Sequence, residues 1–186
     1  MNQMGFYFDQ TRCIGCYTCA VACKDWNDIP VGVNWRLIKT IEDGTFPNLF
    51  LAYLSTSCLH CKDPPCAKAC PTKAIIKRES DGIVIVIANK CLGKKECGSK
   101  CLKACPWDVP QFRNEENSKM EKCNFCIERL EKGQQTICVE ACPMYALDAA
   151  PLDELKEKYG NLHKAEGFNY YEKIKPSVVF KPKFKK

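Results

Sequence analysis

The chain has 186 residues, 16 of them cysteine, and a formal charge of +6. With the cysteines set aside, its apolar share falls from 46 per cent to about 38 per cent, a thin supply for a chain that must build its own core. No run approaches the 18 or more apolar residues of a membrane helix, so no direct membrane span is expected. Residues 1–12 show no basic n-region, apolar h-region or twin arginine, which predicts a cytoplasmic location or co-export with a signal-bearing partner.

In chain order, Phe6 to Asp9 reads as a short strand that delivers the chain into Cys13, Cys16, Cys19 and Cys23. Their spacing, C-x2-C-x2-C-x3-C, is the bacterial ferredoxin run, and Ala20 to Trp26 continues from it as a short helix. Val33 to Ile41 and Leu49 to Thr56 are rich in β-branched and aromatic residues and predict a hairpin connected through Glu42 to Asn48. A second run, Cys58, Cys61, Cys66 and Cys70 before Pro71, is spaced C-x2-C-x4-C-x3-C-P. Ala74 to Lys77 and Ile83 to Ile87 form a second hairpin around Ser80, Asp81 and Gly82. The third run is Cys91, Cys97, Cys101 and Cys105 before Pro106, and the fourth is Cys123, Cys126, Cys138 and Cys142 before Pro143. Leu152 to Tyr159, bounded by Pro151 and Gly160, is an amphipathic helix with Leu152, Leu155 and Tyr159 on one face. Phe168 to Lys186 alternates aromatics with lysines around Pro176 and Pro182. It is either a partly disordered tail or an extended arm over a larger partner, anchored by Phe168, Tyr170, Tyr171, Val178, Val179, Phe180 and Phe184.

Every cysteine falls in a group of four, which separates metal ligation from a disulfide scaffold. Zinc sites are usually two separated C-x2-C knuckles, whereas three groups here end in Cys-Pro and pack three or four thiols into a short loop. A cubane has four irons at tetrahedral corners. Three thiolates of one tight loop cap three of them, and in two-cluster ferredoxins the last cysteine of a run ligates the other cluster. Four runs therefore predict two cross-wired pairs of clusters. The repeats that begin at Cys70, Cys105 and Cys142 support duplication of one half-unit, while Cys23 is followed by Lys24 and departs from it.

Sixteen thiolates and four cluster cores would move the charge from +6 to about −2, which removes the electrostatic case for nucleic acid. His60 and His163 belong to no ligand or catalytic constellation, although His60 sits inside the second run, where it could donate toward a cluster sulfur. Catalytic triads, phosphate loops and dinucleotide fingerprints are absent, so no catalytic residue is assigned.

The order of the four groups resembles the four-cluster iron-sulfur subunits of the dimethyl sulfoxide reductase family of molybdopterin oxidoreductases. So do the segments Cys13 to Cys19, Ala22 to Asp25, Cys61 to Cys66, Lys77 to Glu79, Asp81 to Val84 and Ile137 to Pro143. The resemblance spans about Gly5 to Gly160. It implies four [4Fe-4S] clusters and a large molybdenum- or tungsten-bis-pterin catalytic subunit, and leaves room for a membrane anchor subunit. It also implies ligand sets. Cys13, Cys16, Cys19 and Cys142 hold one cluster, and Cys123, Cys126, Cys138 and Cys23 its neighbour. Cys58, Cys61, Cys66 and Cys105 hold a third, and Cys91, Cys97, Cys101 and Cys70 the fourth. The third run departs from the family spacing around Gly93, Lys94, Lys95 and Glu96, a stretch similar to the transhydroxylase small subunit.

The expected fold is α+β: two bacterial two-cluster ferredoxin-like modules with inserted β-hairpins and an extended C-terminal arm. Groups one and four form the outer module (1–57 plus 106–150), groups two and three the inner (58–105), and 151–186 the C-terminal helix and partner-docking arm. The expected function is electron transfer between the catalytic subunit and an external donor or acceptor, with a free-standing diffusible polyferredoxin as the alternative. A purely structural cluster protein is the third reading.

Overall fold

The N-terminal strand is the axis around which the rest is hung. In this computed structural model, which describes residues 2–185, the strands are β1 (Met4–Asp9), β2 (Leu37–Thr45), β3 (Asn48–Thr56), β4 (Ile75–Lys77), β5 (Val84–Val86), β6 (Gln111–Phe112), β7 (Met120–Glu121), β8 (Leu147–Pro151) and β9 (Val178–Lys181). The helices are α1 (Thr18–Trp26), α2 (Pro65–Lys68), α3 (Lys94–Cys97), α4 (Lys100–Ala104), α5 (Ile127–Leu130), α6 (Ile137–Glu140) and α7 (Leu152–Tyr159). β1 pairs antiparallel with β8, Phe8 facing Leu147, and parallel with β9, Phe6 facing Val178. The sheet order β8-β1-β9 thus ties the entry to the first cysteine run to the exit from the fourth. Covered on both faces, β1 is buried from Gly5 to Asp9.

Phe6 and Phe8 point into a core shared with Leu54, Phe125, Leu147, Phe180 and six of the buried cysteines. Tyr7 points the other way, against Leu155 and Val179 beneath α7, and its ring stacks on Tyr159 at 3.7 Å. This alternation is the period-2 rule of a strand buried on both sides. A separate core gathers Cys66, Ala74, Ile75, Val84, Cys91, Cys101 and Met120.

Two sequence expectations change. The first hairpin has no seven-residue connection: Asp43 pairs with Phe50, Gly44 with Leu49 and Thr45 with Asn48, which leaves only Phe46 and Pro47 in the turn. Asp43-Gly44 reads as a turn, but Gly44 sits inside the ladder at φ +83°, where an added Cβ would lie 2.1 Å from the Asn48 carbonyl oxygen. Val33 to Arg36, expected in the first strand, instead precede it, with Val33 buried against Cys23 and Ile29.

The second correction concerns the arm. Val178, Val179 and Phe180 complete the chain's own sheet and Phe168 joins its core, so these four side chains are not free to anchor a partner. Only Tyr171 and Phe184 of the expected anchors are exposed, Phe184 at 73 per cent. Lys181 and Lys185 fasten the segment through ion pairs to Asp9 (3.2 Å) and Asp43 (2.6 Å). The apolar residues win because β1 has an open edge whose donors and acceptors a parallel strand satisfies.

Candidate metal centres

The four runs share a backbone device. The second residue after the first cysteine is left-handed in each: Gly15 (φ +70°), His60 (+43°), Gly93 (+100°) and Phe125 (+65°). This geometry folds a peptide N–H back onto sulfur, as where the Phe125 N–H donates to Cys123 Sγ at 3.4 Å. Glycine suits the position for its tolerance of positive φ, and the two non-glycine residues are held there by burial.

A second device follows each Cys-Pro. Lys73, Asp108 and Tyr145 are left-handed at +50° to +53°, and each donates its N–H to the cysteine carbonyl three residues back at 3.2 Å. In two of the three, the next N–H then reaches the thiol: Ala74 donates to Cys70 Sγ and Ala146 to Cys142 Sγ, both at 3.3 Å. Cys23, lacking the proline, lies instead within α1. There the side-chain amide of Asn27 supplies the donor, to the Cys23 carbonyl at 2.8 Å and its Sγ at 3.7 Å.

All sixteen thiols are free. One hollow is lined by Cys13, Cys16, Cys19 and Cys142, a second by Cys58, Cys61, Cys66 and Cys105, and a third by Cys70, Cys91, Cys97 and Cys101. Each draws three thiols from one run and its fourth from another. The remaining four, Cys23, Cys123, Cys126 and Cys138, are buried where α1 packs on α6 and the segment around Cys123 approaches. The three hollows enclose some 340 to 370 Å³ of atom-free space, part of it open to solvent. Among the described residues no three Cys, His, Asp or Glu side chains close on one point as a single ion requires. Thiols arranged around a space, with N–H donors aimed at their sulfurs, fit a polynuclear cluster rather than one zinc ion.

Burial pushes most of these thiols up: Cys23 and Cys66 to about 12, Cys101 and Cys126 to about 11, with neighbouring thiols adding to the effect. Cys16, exposed and bonded by Thr18, is instead lowered. A buried protonated thiol is a poor ligand, so loading must exchange protons for metal.

Sequence reasoning missed two cations. Arg36 donates to Ser55 Oγ (2.9 Å) and Ser57 Oγ (3.0 Å) and lies 5.0 Å from the centre of the Phe6 ring. Burial opposes its charge, but the thiols of Cys138, Cys19, Cys123 and Cys23 more than offset this and raise its pKa. Lys122 donates to the carbonyls of Val84 and Cys123 and lines the Cys58 hollow. His60 is fully buried beside the stacked rings of Phe6 and Phe125, edge-on to Phe125 at 5.2 Å. Its Nδ1 accepts the Val84 N–H at 3.0 Å, while burial and the Lys122 charge push its pKa well down, so the ring is neutral with its proton on Nε2. His163 Nδ1 lies 3.1 Å from the Val178 carbonyl oxygen, and its ring stacks on Tyr170 at 4.6 Å.

Free thiols around hollows, on loops that turn N–H groups toward sulfur, define a ferredoxin-like [4Fe-4S] protein of mixed α/β structure. Residues 49–150 match the 4Fe-4S dicluster domain. The protein is 43 per cent identical to a chain of the anaerobic dimethyl sulfoxide reductase of Haemophilus influenzae, over 98 per cent of its own length and 90 per cent of the relative's. It is 42 per cent identical to the like-named chain of Escherichia coli, over 97 and 89 per cent, and 35 per cent identical to a subunit of the sulfite dehydrogenase of Allochromatium vinosum, over 78 and 68 per cent. The chain belongs to the iron-sulfur subunits of the dimethyl sulfoxide reductase family of molybdopterin oxidoreductases: it carries [4Fe-4S] clusters and is an electron-transfer subunit of an oxidoreductase complex. No helix among the described residues is long and apolar enough to cross a membrane.

Proposed function

We propose that the four thiol sets are four ligand sets. Cys13, Cys16, Cys19 and Cys142 hold one cluster, and Cys23, Cys123, Cys126 and Cys138 its neighbour in an outer module. Cys58, Cys61, Cys66 and Cys105 hold a third, and Cys70, Cys91, Cys97 and Cys101 a fourth, in an inner one. The observation that carries this reading is that each hollow draws on two runs, the cross-wiring of a two-cluster ferredoxin. Because Trp107, Val109, Phe112, Met120 and Lys122 line the inner hollows, the inner module is drawn to about Lys122 rather than ending at Cys105.

When bound, the clusters supply one-electron oxidation and reduction. The chain's own residues exclude water from the sulfurs, donate N–H bonds to them and fix their order between two surfaces. The partner at one surface is a large bis-pterin catalytic subunit, molybdenum- or tungsten-bearing, and the other surface meets an external donor or acceptor. Around exposed Cys16 the side chains of Ile14, Tyr17, Met144 and Tyr145 leave an apolar rim, suited to a protein partner rather than to water.

Anaerobic purification of the chain with its genomic neighbours tests both parts. Iron and acid-labile sulfide are expected at about four each per cysteine set. A large pterin-bearing chain should co-purify, its metal distinguishing molybdenum from tungsten, and Tyr145→Asp should release it without loss of iron. A stable, fully loaded monomer that exchanges electrons with ferredoxin-dependent enzymes and binds no such chain would establish the diffusible carrier instead.

A further inference from the structure

Two buried cations lack a carboxylate. Arg36 is 4 per cent exposed and Lys122 3 per cent, and neither forms an ion pair with an acidic side chain among the described residues. Arg129, comparably buried, is paired with Glu140. An uncompensated buried charge is strongly destabilising, so a counter-charge must come from elsewhere. The thiolates and what they hold are the available anions.

Arg36 has the more specific geometry. A guanidinium can only donate, so Ser55 Oγ accepts from it and keeps its own proton for another acceptor. Cys19 Sγ lies 3.8 Å away and, as a thiolate ligand, can only accept that proton; Ser55 lines the same hollow as Cys19. With Cys19 as thiolate, the relay runs from Arg36 through Ser55 to Cys19. The second bond, to Ser57, and the Phe6 ring fix the plane of the guanidinium, which a flexible ammonium could not match.

We propose that Arg36 is the potential-setting residue of the outer pair of clusters, its fixed charge favouring their reduced forms and reaching Cys19 through the Ser55 hydroxyl. Reduction adds one electron to an already anionic centre, and a cation held nearby stabilises that added charge. No proton is transferred, because the guanidinium does not deprotonate. The inference rests on the ligand sets proposed above.

The test is a redox titration of the anaerobically purified complex, followed by electron paramagnetic resonance, with iron and sulfide counted for every variant. Arg36→Gln is expected to keep its iron while the two outer midpoints fall by at least a tenfold shift of the reduction equilibrium, about 59 mV for one electron. Arg36→Lys, which keeps the charge without the two-point hold, should recover only part of the shift. Ser55→Ala should lower the cluster of Cys19 alone. The cluster of Cys70, Cys91, Cys97 and Cys101, which sits in a separate core, should not move. Full iron with unchanged midpoints, or an equal shift of all four clusters, overturns the proposal. Should Arg36→Gln lose iron, Ser55→Ala decides, since an unaltered Cys19 cluster there also overturns it. A wrong ligand assignment is distinguishable, because Cys19→Ser and Cys142→Ser would then remove different spectral signals at unchanged Arg36.

Discussion

The peptide N–H two residues after a cysteine reaches that cysteine's sulfur only if the chain between them reverses, and a left-handed residue provides that reversal, as at Phe125. At Gly93 the demand is strictest, with φ +100° and ψ 168° in a region essentially confined to glycine. An added Cβ would lie 2.3 Å from Asn117 Oδ1 and 2.6 Å from the Asn117 carbonyl oxygen. Asn117 cannot retreat cheaply, since its amide donates to Leu92 O (3.1 Å) and Glu96 (2.9 Å) and its Oδ1 accepts from the Lys95 N–H. Gly93→Ala is therefore expected to lose the cluster of Cys91 with the other three intact. Gly133→Ala, at φ +69° with nothing within 4 Å, should cost only about 1 kcal/mol of stability. Iron analysis and spectra of both variants check this, and a fully loaded Gly93→Ala protein would contradict it. Gly15 and Gly93 could be picked out in the sequence as glycines between ligands. His60 and Phe125 perform the same reversal without that flag, because neighbouring packing holds them in a conformation their side chains disfavour. Arg36 escaped for a related reason: in a stretch patterned like a strand, nothing local marks a cation whose partners lie about twenty residues on.

Elements bounded by local chemistry were legible. Pro151 fixes the start of α7, Gly160 at φ +85° stops it, and Leu152, Leu155 and Tyr159 share a face. What attaches α7 to the sheet was not. Asp148 on β8 accepts from Tyr159 Oη at 2.7 Å and from Lys158 Nζ at 3.1 Å, and the Tyr159 ring lies on Tyr7. Burial works against the Asp148 charge, but the bonds from Tyr159 and Lys158 outweigh it, so its pKa lies below 3.8. With the folded pKa depressed, the contribution is complete above the unfolded value and is lost only as pH falls through the folded one. Asp148→Asn should cost on the order of 1 kcal/mol, and the penalty should stay constant from about pH 8 to about pH 5. Denaturant melts of the loaded protein across that range measure it, and a penalty that fades near the middle of the range would place the titrating group elsewhere. The strand β9 was illegible for another reason. Four residues behind a proline read as tail, and their partner is at the opposite end of the chain, so only the open edge of β1 makes them a strand.

At the scale of the molecule, cysteines stand where a globular protein places its core. Among the described residues, eleven of the thirty-three buried apolar residues are cysteines, and seven of those surround hollows rather than fill them. Without the clusters, these linings lose the contacts that close packing provides, and the buried charges of Arg36 and Lys122 lose their counter-ions. The largest element-built core free of cysteine is the small set of Tyr7, Leu155 and Val179 with Ala150, Leu152 and Tyr159 around them, too little to hold a chain of this length. Folding and loading are then one transition, because the binding free energy of the clusters supplies what the apolar residues do not. Stripping the clusters anaerobically with a chelator and oxidant should abolish the far-ultraviolet circular dichroism of the sheet together with the cluster absorbance, at one rate. Iron and sulfide returned under reducing conditions should restore both. A stripped chain that keeps its native dichroism would show that the sheet and α7 stand alone, and that the hollows are rigid sockets rather than cores completed by their cargo.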